Sequence, residues 1–247
     1  KQNEKYTGMK AAIIPEIPKE LTLSYIQKTY PDYLEEGKVM LGLDYNTVSP
    51  MMLEIAQGGM FTISGKKEKG KDIFVKYLLE AMLLPAFGGT DLYILDDMTR
   101  RWADYEFHPD TAVYDNTTGS IRTIFDEVDQ RVQSRYEDFA QRQEAALDDE
   151  NWIVVGTIKG MLGKYRMMKV LILMTNVENA AIPFSAPDLM KIVKDNRRYI
   201  IFDDISNIKL CDLSVSIAKK YAKPIEFCDA FYVNENELTK IKTVKLS

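Results

Sequence analysis

Gly58–Leu84 reads GGMFTISGKKEKGKDIFVKYLLEAMLL, and its reading decides the fold. Met60, Phe61 and Ile63 form a short apolar run of the kind a buried strand needs, and Gly65-Lys66-Lys67-Glu68-Lys69-Gly70-Lys71 follows at once, ahead of a helical pattern. GxxxxGK between a strand and a helix is a phosphate-binding loop in its required context. Glycines let the backbone fold over a phosphate chain, N–H groups point inward, the following helix offers its positive end, and the lysine adds a point charge. One position departs from the motif. A Ser or Thr hydroxyl normally follows the lysine to hold Mg²⁺, and here that residue is Asp72. Asp72 suits either direct metal ligation or simple capping of the helix N-terminus. Glu68 also stands where a small residue is usual, and a carboxylate ~4 Å from a phosphate costs up to a few kcal/mol at an effective dielectric near 20. Gly65, Lys66, Lys67, Glu68, Lys69, Gly70, Lys71 and Asp72 are therefore the candidate nucleotide-binding residues of a degenerate loop, with weak or absent hydrolysis expected.

Around this stretch the chain reads as α/β. From Asp72 the polar residues Asp72, Lys76 and Glu80 recur every four positions, which leaves Phe74, Val75, Leu78, Leu79, Met82 and Leu83 for burial on one helix. Pro85 and Gly88-Gly89 end it, and LYIL follows as a buried strand closed by Asp96-Asp97. Strand, loop, helix, strand is a parallel crossover unit. Upstream, VMLGLDYNTVSPMMLEI (39–55) predicts a hairpin with Pro50 at the end of its turn, and residues 1–36 read as a lead-in holding one short helix after Thr22 or Ser24. Downstream, 98–120 is turn-rich. A long helix starts at Ile121 behind a Ser120 cap and carries apolar positions as far as Ala146. Trp152–Val155, 169–174 and Tyr199–Phe202 are three further buried strands. A short helix precedes the last of them, and the tail mixes a helix near 213–221 with strand-like FYV and IKTV.

Composition narrows the function classes. With 247 residues, 46% hydrophobic and 28% charged, the chain suits one large α/β domain with an attached segment, or two small ones. The net charge of -5 argues against a general nucleic-acid surface. Cys211 and Cys228 lack metal or redox spacing and fit reduced structural thiols, and His108, the only histidine, sits between Phe107 and Pro109 in a loop. Histidine-based triads and metal centres are thus poor hypotheses. No apolar run reaches membrane-spanning length, and the first residue is Lys rather than Met, which reads as a fragment of a larger protein.

A phosphate loop that turns over needs an acid at the end of a neighbouring buried strand. Leu92–Asp96 and Tyr199–Asp203 carry one, whereas Trp152–Val155 ends in Gly156-Thr157. The segments GLDYNTVSPMMLEIAQGGMFTISGKKEKGK, LYILDD, WIVV, VLILMTN and YAKPIEF, in that order over roughly 37–247, resemble the C-terminal ATPase-like domain of the EssC family, FtsK/SpoIIIE-type motors of type VII secretion in Gram-positive bacteria. The resemblance implies a RecA-like P-loop NTPase fold, a mostly parallel sheet with helices on both faces. It also implies a cytoplasmic domain of a membrane-anchored protein, repeated along one polypeptide beside neighbouring ATPase domains and assembling as a ring.

In such proteins the last repeat is degenerate for ATP and Mg²⁺ and is implicated in recognising WXG100-type secreted substrates. By the same resemblance the metal-site acid belongs after Trp152–Val155, where this chain has none, and Cys228-Asp229-Ala230 stands where the family tends to show Gly-Arg-Gly. The competing expectations are an active ATPase, with Lys71 on the phosphates and Asp72 or Asp203 on Mg²⁺, and a DNA translocase, which the acidic balance disfavours. For a peptide pocket the conceivable linings are Ile182 and Phe184, or Met98 and Trp102.

Overall fold

A computed structural model of the chain describes residues 16–31, 38–55, 58–84, 90–117, 121–141, 152–155, 170–175, 177 and 187–246. Within them ten strands form one sheet: β1 (Lys38–Asp44), β2 (Pro50–Glu54), β3 (Gly59–Gly65), β4 (Asp91–Leu95), β5 (Thr111–Asp115), β6 (Trp152–Val155), β7 (Val170–Thr175), β8 (Arg198–Phe202), β9 (Asp229–Asn234) and β10 (Glu237–Thr243). Their order is β2-β1-β10-β9-β8-β3-β7-β6-β4-β5. From β8 to β5 every pairing is parallel. From β8 to β2 every pairing is antiparallel. The expected parallel block is present, and the sheet as a whole is mixed, because the tail returns as the β9–β10 hairpin and joins it to the β1–β2 hairpin.

Strand alternation explains why both faces carry helices, since successive side chains point to opposite sides. Phe61, Ile63, Leu92, Ile94, Leu171, Leu173, Ile200 and Phe202 pack on one face with Ile26 of α1 (Leu23–Thr29) and with Phe74, Val75, Leu78 and Leu79 of α2 (Lys71–Met82). Met60, Tyr93, Ile172, Met174, Tyr199 and Ile201 pack on the other with Ile124, Val128 and Val132 of α3 (Ile121–Gln141) and Val193 of α4 (Pro187–Asn196). A smaller cluster sets α5 (Val215–Lys220), through Ile217, against Ile225 and Phe231.

The stripe of polar residues on α2 faces outward as its spacing predicts, and Tyr77, not counted among the expected core positions, is buried as well. Its hydroxyl donates to the Met40 carbonyl at 2.8 Å, and the Phe74 ring lies 5.3 Å from that of Phe202. These contacts fix the helix that carries the candidate loop. Each fully buried side chain of this size contributes about 1.5–3 kcal/mol.

The hairpin upstream forms as read. Asp44 closes its turn by accepting from the Asn46 N–H and the Thr47 hydroxyl, and Pro50 opens β2 at the sheet edge, where a missing N–H is tolerated. Thr22 caps α1, and the lead-in is tied down where Leu23 N–H donates to Lys245 O and Lys245 N–H to Leu21 O. One reading needs correction: the 98–120 segment contains β5, a half-exposed parallel edge strand whose five residues lie between turns. The crossover from β3 through α2 is parallel as read, with β7 and β6 lying between β3 and β4 in the sheet. Ser120, Ala146, the glycines at 156, 160 and 163, and Ile182 and Phe184 fall outside the described residues.

Candidate functional site

β3 ends between β7 and β8 and delivers the loop to the carboxyl edge of the parallel block. Gly65 turns the chain at φ 111°, a conformation that suits glycine, and a Cβ there would lie 2.4 Å from the Phe202 oxygen. Residues Lys67–Lys69 make a single 3₁₀ turn, Gly70 follows at φ 101°, and α2 starts at Lys71. Lys71 is buried, with 6% of its surface exposed, while Lys66, Lys67 and Glu68 are exposed.

Part of the loop's backbone bonds to the protein itself. Lys66 N–H donates to Phe202 O at 2.8 Å, Lys69 N–H to Lys66 O at 3.1 Å, and Gly70 N–H to Lys67 O at 2.9 Å. An open phosphate loop aims such N–H groups at its ligand, and here three of them serve the chain's own carbonyls. The segment before β9 seals the arrangement. Cys228 N–H donates to Lys69 O at 3.0 Å, Cys228 itself sits at φ 60°, and a Cβ on Gly70 would meet its Sγ at 3.1 Å.

Two of the lysines are engaged in the same way. Lys66 Nζ is 3.3 Å from Asp203 Oδ1, and Lys69 Nζ donates to Ile225 O at 2.7 Å and lies 3.4 Å from Asp204 Oδ1. Asp204 also accepts from Ile225 N–H at 2.8 Å; that bond first, and Lys69 beside it, hold its carboxyl below the usual carboxylate range. Asp203 accepts from Asn207 Nδ2 and from Asp204 N–H. The pair of acids ending β8 thus ties the loop to the 225–228 segment.

The acids ending β4 are also committed. Asp96 accepts from Trp102 N–H at 2.7 Å, Tyr114 hydroxyl at 2.9 Å and Asp97 N–H at 2.8 Å. Burial, followed by the bond to Asp96, pushes the Tyr114 phenol up to about 12. Asp97 closes an Asx turn with Thr99, whose hydroxyl and N–H hold its carboxyl below the usual range. Asp72 lies in the first turn of α2, where a negative charge suits the helix N-terminus, and its Oδ1 is 3.2 Å from Arg101 Nη1. Among the described residues no group of three or more His, Cys, Asp or Glu could hold a metal ion. A nucleotide-bound Mg²⁺ takes one or two protein oxygens beside phosphates and water, and Asp72, the residue at that position of the motif, has its Oδ1 turned to Arg101. β6 carries no acid in Trp152–Val155.

Several participants escape sequence reading. Arg101 arrives from the loop after β4, Ile225 and Cys228 from the segment before β9, and no local pattern links them to the motif. Both thiols are free, and burial pushes both above their usual range, as inert structural cysteines require. His108 lies in a loop, its Nδ1 accepting from Asp110 N–H. Of the suggested peptide linings, Met98 is 82% exposed and Trp102 is buried.

A glycine-lysine loop between a central parallel strand and a helix packed on the sheet, with β7 and β8 flanking that strand, is the arrangement of a RecA/FtsK-like α/β fold. No family model matches the chain. The ESX secretion system protein EccC of Geobacillus thermodenitrificans (strain NG80-2) is 28% identical over 128 residues, 52% of this chain and 8% of that protein.

Solved structures give the same fold. The cytoplasmic domain of EssC superposes with a TM-score of 0.76 at 22% identity, covering 95% of this chain and 49% of the other. EssC (ATPases 2 and 3) from Geobacillus thermodenitrificans gives 0.75 at 23%, covering 95% and 46%. Thermomonospora curvata EccC (ATPases 2 and 3), in complex with a signal sequence peptide, gives 0.68 at 14%, covering 98% and 46%. The chain thus shares the fold of the EssC and EccC ATPase structures and is similar in sequence to EccC over about half its length, and it spans about half the length of these structures.

Proposed function

We propose that this chain is a nucleotide-silent ATPase-like domain of a type VII secretion motor, acting in substrate recognition and regulation of protein export rather than in ATP turnover. The observation that carries this reading is the loop's bonding to the protein itself: N–H groups of Lys66, Lys69 and Gly70 bond to the chain's own carbonyls, and Lys66 and Lys69 pair with Asp203 and Asp204. Binding a phosphate chain at Gly65–Asp72 would have to break those bonds first, which weakens affinity by the free energy they hold. In the same proposal residues 37–247 are the domain and 1–36 its lead-in, on the cytoplasmic side of a membrane-anchored protein. Neighbouring ATPase domains of that protein are its structural partners, with a ring as the assembled form. The signal sequence peptide bound to Thermomonospora curvata EccC supports WXG100-type secreted substrates as its cargo.

The test is calorimetric titration of Mg-ATP into the chain and its Lys71→Ala and Asp72→Ser variants, followed by a C-terminal peptide of a WXG100-type substrate. The expected result is no nucleotide heat in the native protein, with peptide binding that is indifferent to Lys71→Ala. Micromolar Mg-ATP binding that vanishes with Lys71→Ala would overturn the silent reading and make the chain an active ATPase domain.

A further inference from the structure

We propose that the guanidinium of Arg101 stands permanently in the place of the divalent metal at this loop, so that the site excludes Mg²⁺ rather than merely binding it weakly. The inference rests on reading Gly65–Asp72 as a phosphate loop and adds what fills its cation position. The residue after the loop lysine supplies the metal-ligating oxygen in this motif, and in this chain that residue is Asp72. Its Oδ1 is 3.2 Å from Arg101 Nη1, with the two side chains 17% and 31% exposed, so the pair is partly withdrawn from water.

Arg101 is delivered to that point by a pinned loop. Asp96 accepts from Trp102 N–H and from Tyr114, the Trp102 side chain is buried in the core under α2, Arg100 N–H donates to Asp97 O at 3.0 Å, and Arg100 Nη2 pairs with Glu106 at 2.5 Å. Residues on both sides of Arg101 are therefore fixed, and its reach to Asp72 spans two elements 29 positions apart in sequence.

The chemistry of the two cations differs in a way that matters. Arginine stays protonated at any accessible pH and bonds carboxylates directionally through planar N–H groups. Mg²⁺ needs short oxygen contacts and keeps several waters. A divalent ion at Asp72 would sit against a fixed positive charge a few ångströms away, in a setting where such repulsion is incompletely screened. The carboxylate that replaces the expected hydroxyl is then not a better metal ligand but the counter-charge of an internal cation.

Metal binding without nucleotide tests this separately from the silent-domain reading. Mn²⁺ serves as the probe, and its free signal is followed by electron paramagnetic resonance as protein is added. Five proteins are compared: wild type, Asp72→Asn, Arg101→Ala, Arg101→Gln and Arg101→Ala/Asp72→Asn, each checked for native circular dichroism. Arg101→Gln keeps a side chain of similar reach without the charge, so the comparison survives if the alanine variant folds poorly. Wild type should show no Asp72-dependent site. Loss of the guanidinium charge should tighten Mn²⁺ binding by at least about tenfold, and Asp72→Asn should abolish the gain. A wild-type site that needs Asp72, the lack of any gain in both Arg101 variants, or a gain that survives Asp72→Asn would each overturn the proposal. A nucleotide titration that contradicts the silent reading would leave this metal result standing on its own.

Discussion

Replacing Asp229 is the sharpest perturbation of the framework around the loop. Its carboxylate is fully buried and lies 2.7 Å from Lys240 Nζ and 3.2 Å from Lys242 Nζ, and it accepts from the Tyr45 hydroxyl at 2.7 Å. Lys242 faces Asp229 directly across the β9–β10 ladder, and its side chain is only 7% exposed. Asp229→Ala leaves that ammonium with the Phe227 carbonyl at 3.1 Å as its remaining hydrogen-bond acceptor. Removing one partner of a buried ion pair costs ~3–5 kcal/mol, most of it the penalty of the charge left behind. At ~2–4 °C per kcal/mol for a domain of this size, the midpoint of thermal unfolding should fall by about 10 °C.

The double variant Asp229→Ala/Lys242→Met removes the stranded charge along with its partner and should recover part of the loss, which a double-mutant cycle in urea reads directly. Cys228, next in the chain, holds Lys69 O, so amide exchange in 66–70 should quicken in the single variant. A loss below ~1 kcal/mol, or a double variant as unstable as the sum of the singles, would refute the reasoning, because the cost would then not lie in an uncompensated buried charge.

Two further outcomes follow from the geometry. Gly70→Ala should destabilise by ~1–2 kcal/mol from the positive φ alone, with an added steric part from Cys228 Sγ at 3.1 Å. Gly70→Ala/Cys228→Ala should recover only that steric part, as read by chemical denaturation. At alkaline pH, burial pushes the phenols of Tyr114 and Tyr199 up to about 12. The native chain then holds protons that the unfolded chain releases near 10, so this stability is complete below about pH 10 and is lost as pH rises toward 12. Spectrophotometric titration should show phenolate from these residues only above pH 11 or on unfolding, and normal titration near 10 in the folded protein would contradict their assigned surroundings.

How far the sequence alone carries depends on the range of the interaction. The β3-loop-α2 unit is legible because its signals are local: an apolar run, two glycines at fixed spacing, and polar residues every fourth position. The β1–β2 hairpin and the capped α1 are legible for the same reason. β5 is not, since a five-residue edge strand with half-exposed side chains shows neither alternation nor an apolar run. The return of the tail into the sheet is hidden too, because register such as Asp229 opposite Lys242 is set by partners far apart in sequence. A trace of it stands in β10, where Lys240 and Lys242 alternate around Ile241 and so share a face, yet nothing local says that a buried carboxylate awaits them.

The same distinction explains why the glycine frame of a motif can stand while its other positions vary. Gly65 and Gly70 are what make the loop recognisable, and a phosphate ligand is one reason for glycine at both places. Packing is another and suffices by itself: a Cβ on Gly65 would lie 2.4 Å from a backbone oxygen of β8, and one on Gly70 would press on Cys228, with both residues at positive φ. Of the positions that chemistry alone would constrain, Lys71 is kept and the one after it has changed. The metal-ligating hydroxyl has become Asp72, and its charge is met by Arg101. Lys66 and Lys69 of the loop have acids of the chain's own for partners. On the proposed reading, a fold that keeps both glycines and Lys71 while pairing Lys66, Lys69 and Asp72 with charges of its own retains the architecture of a nucleotide site as a structural joint. The 225–228 segment, bonded to Lys69 through both its backbone and its side chain, is the part of the chain that the joint holds.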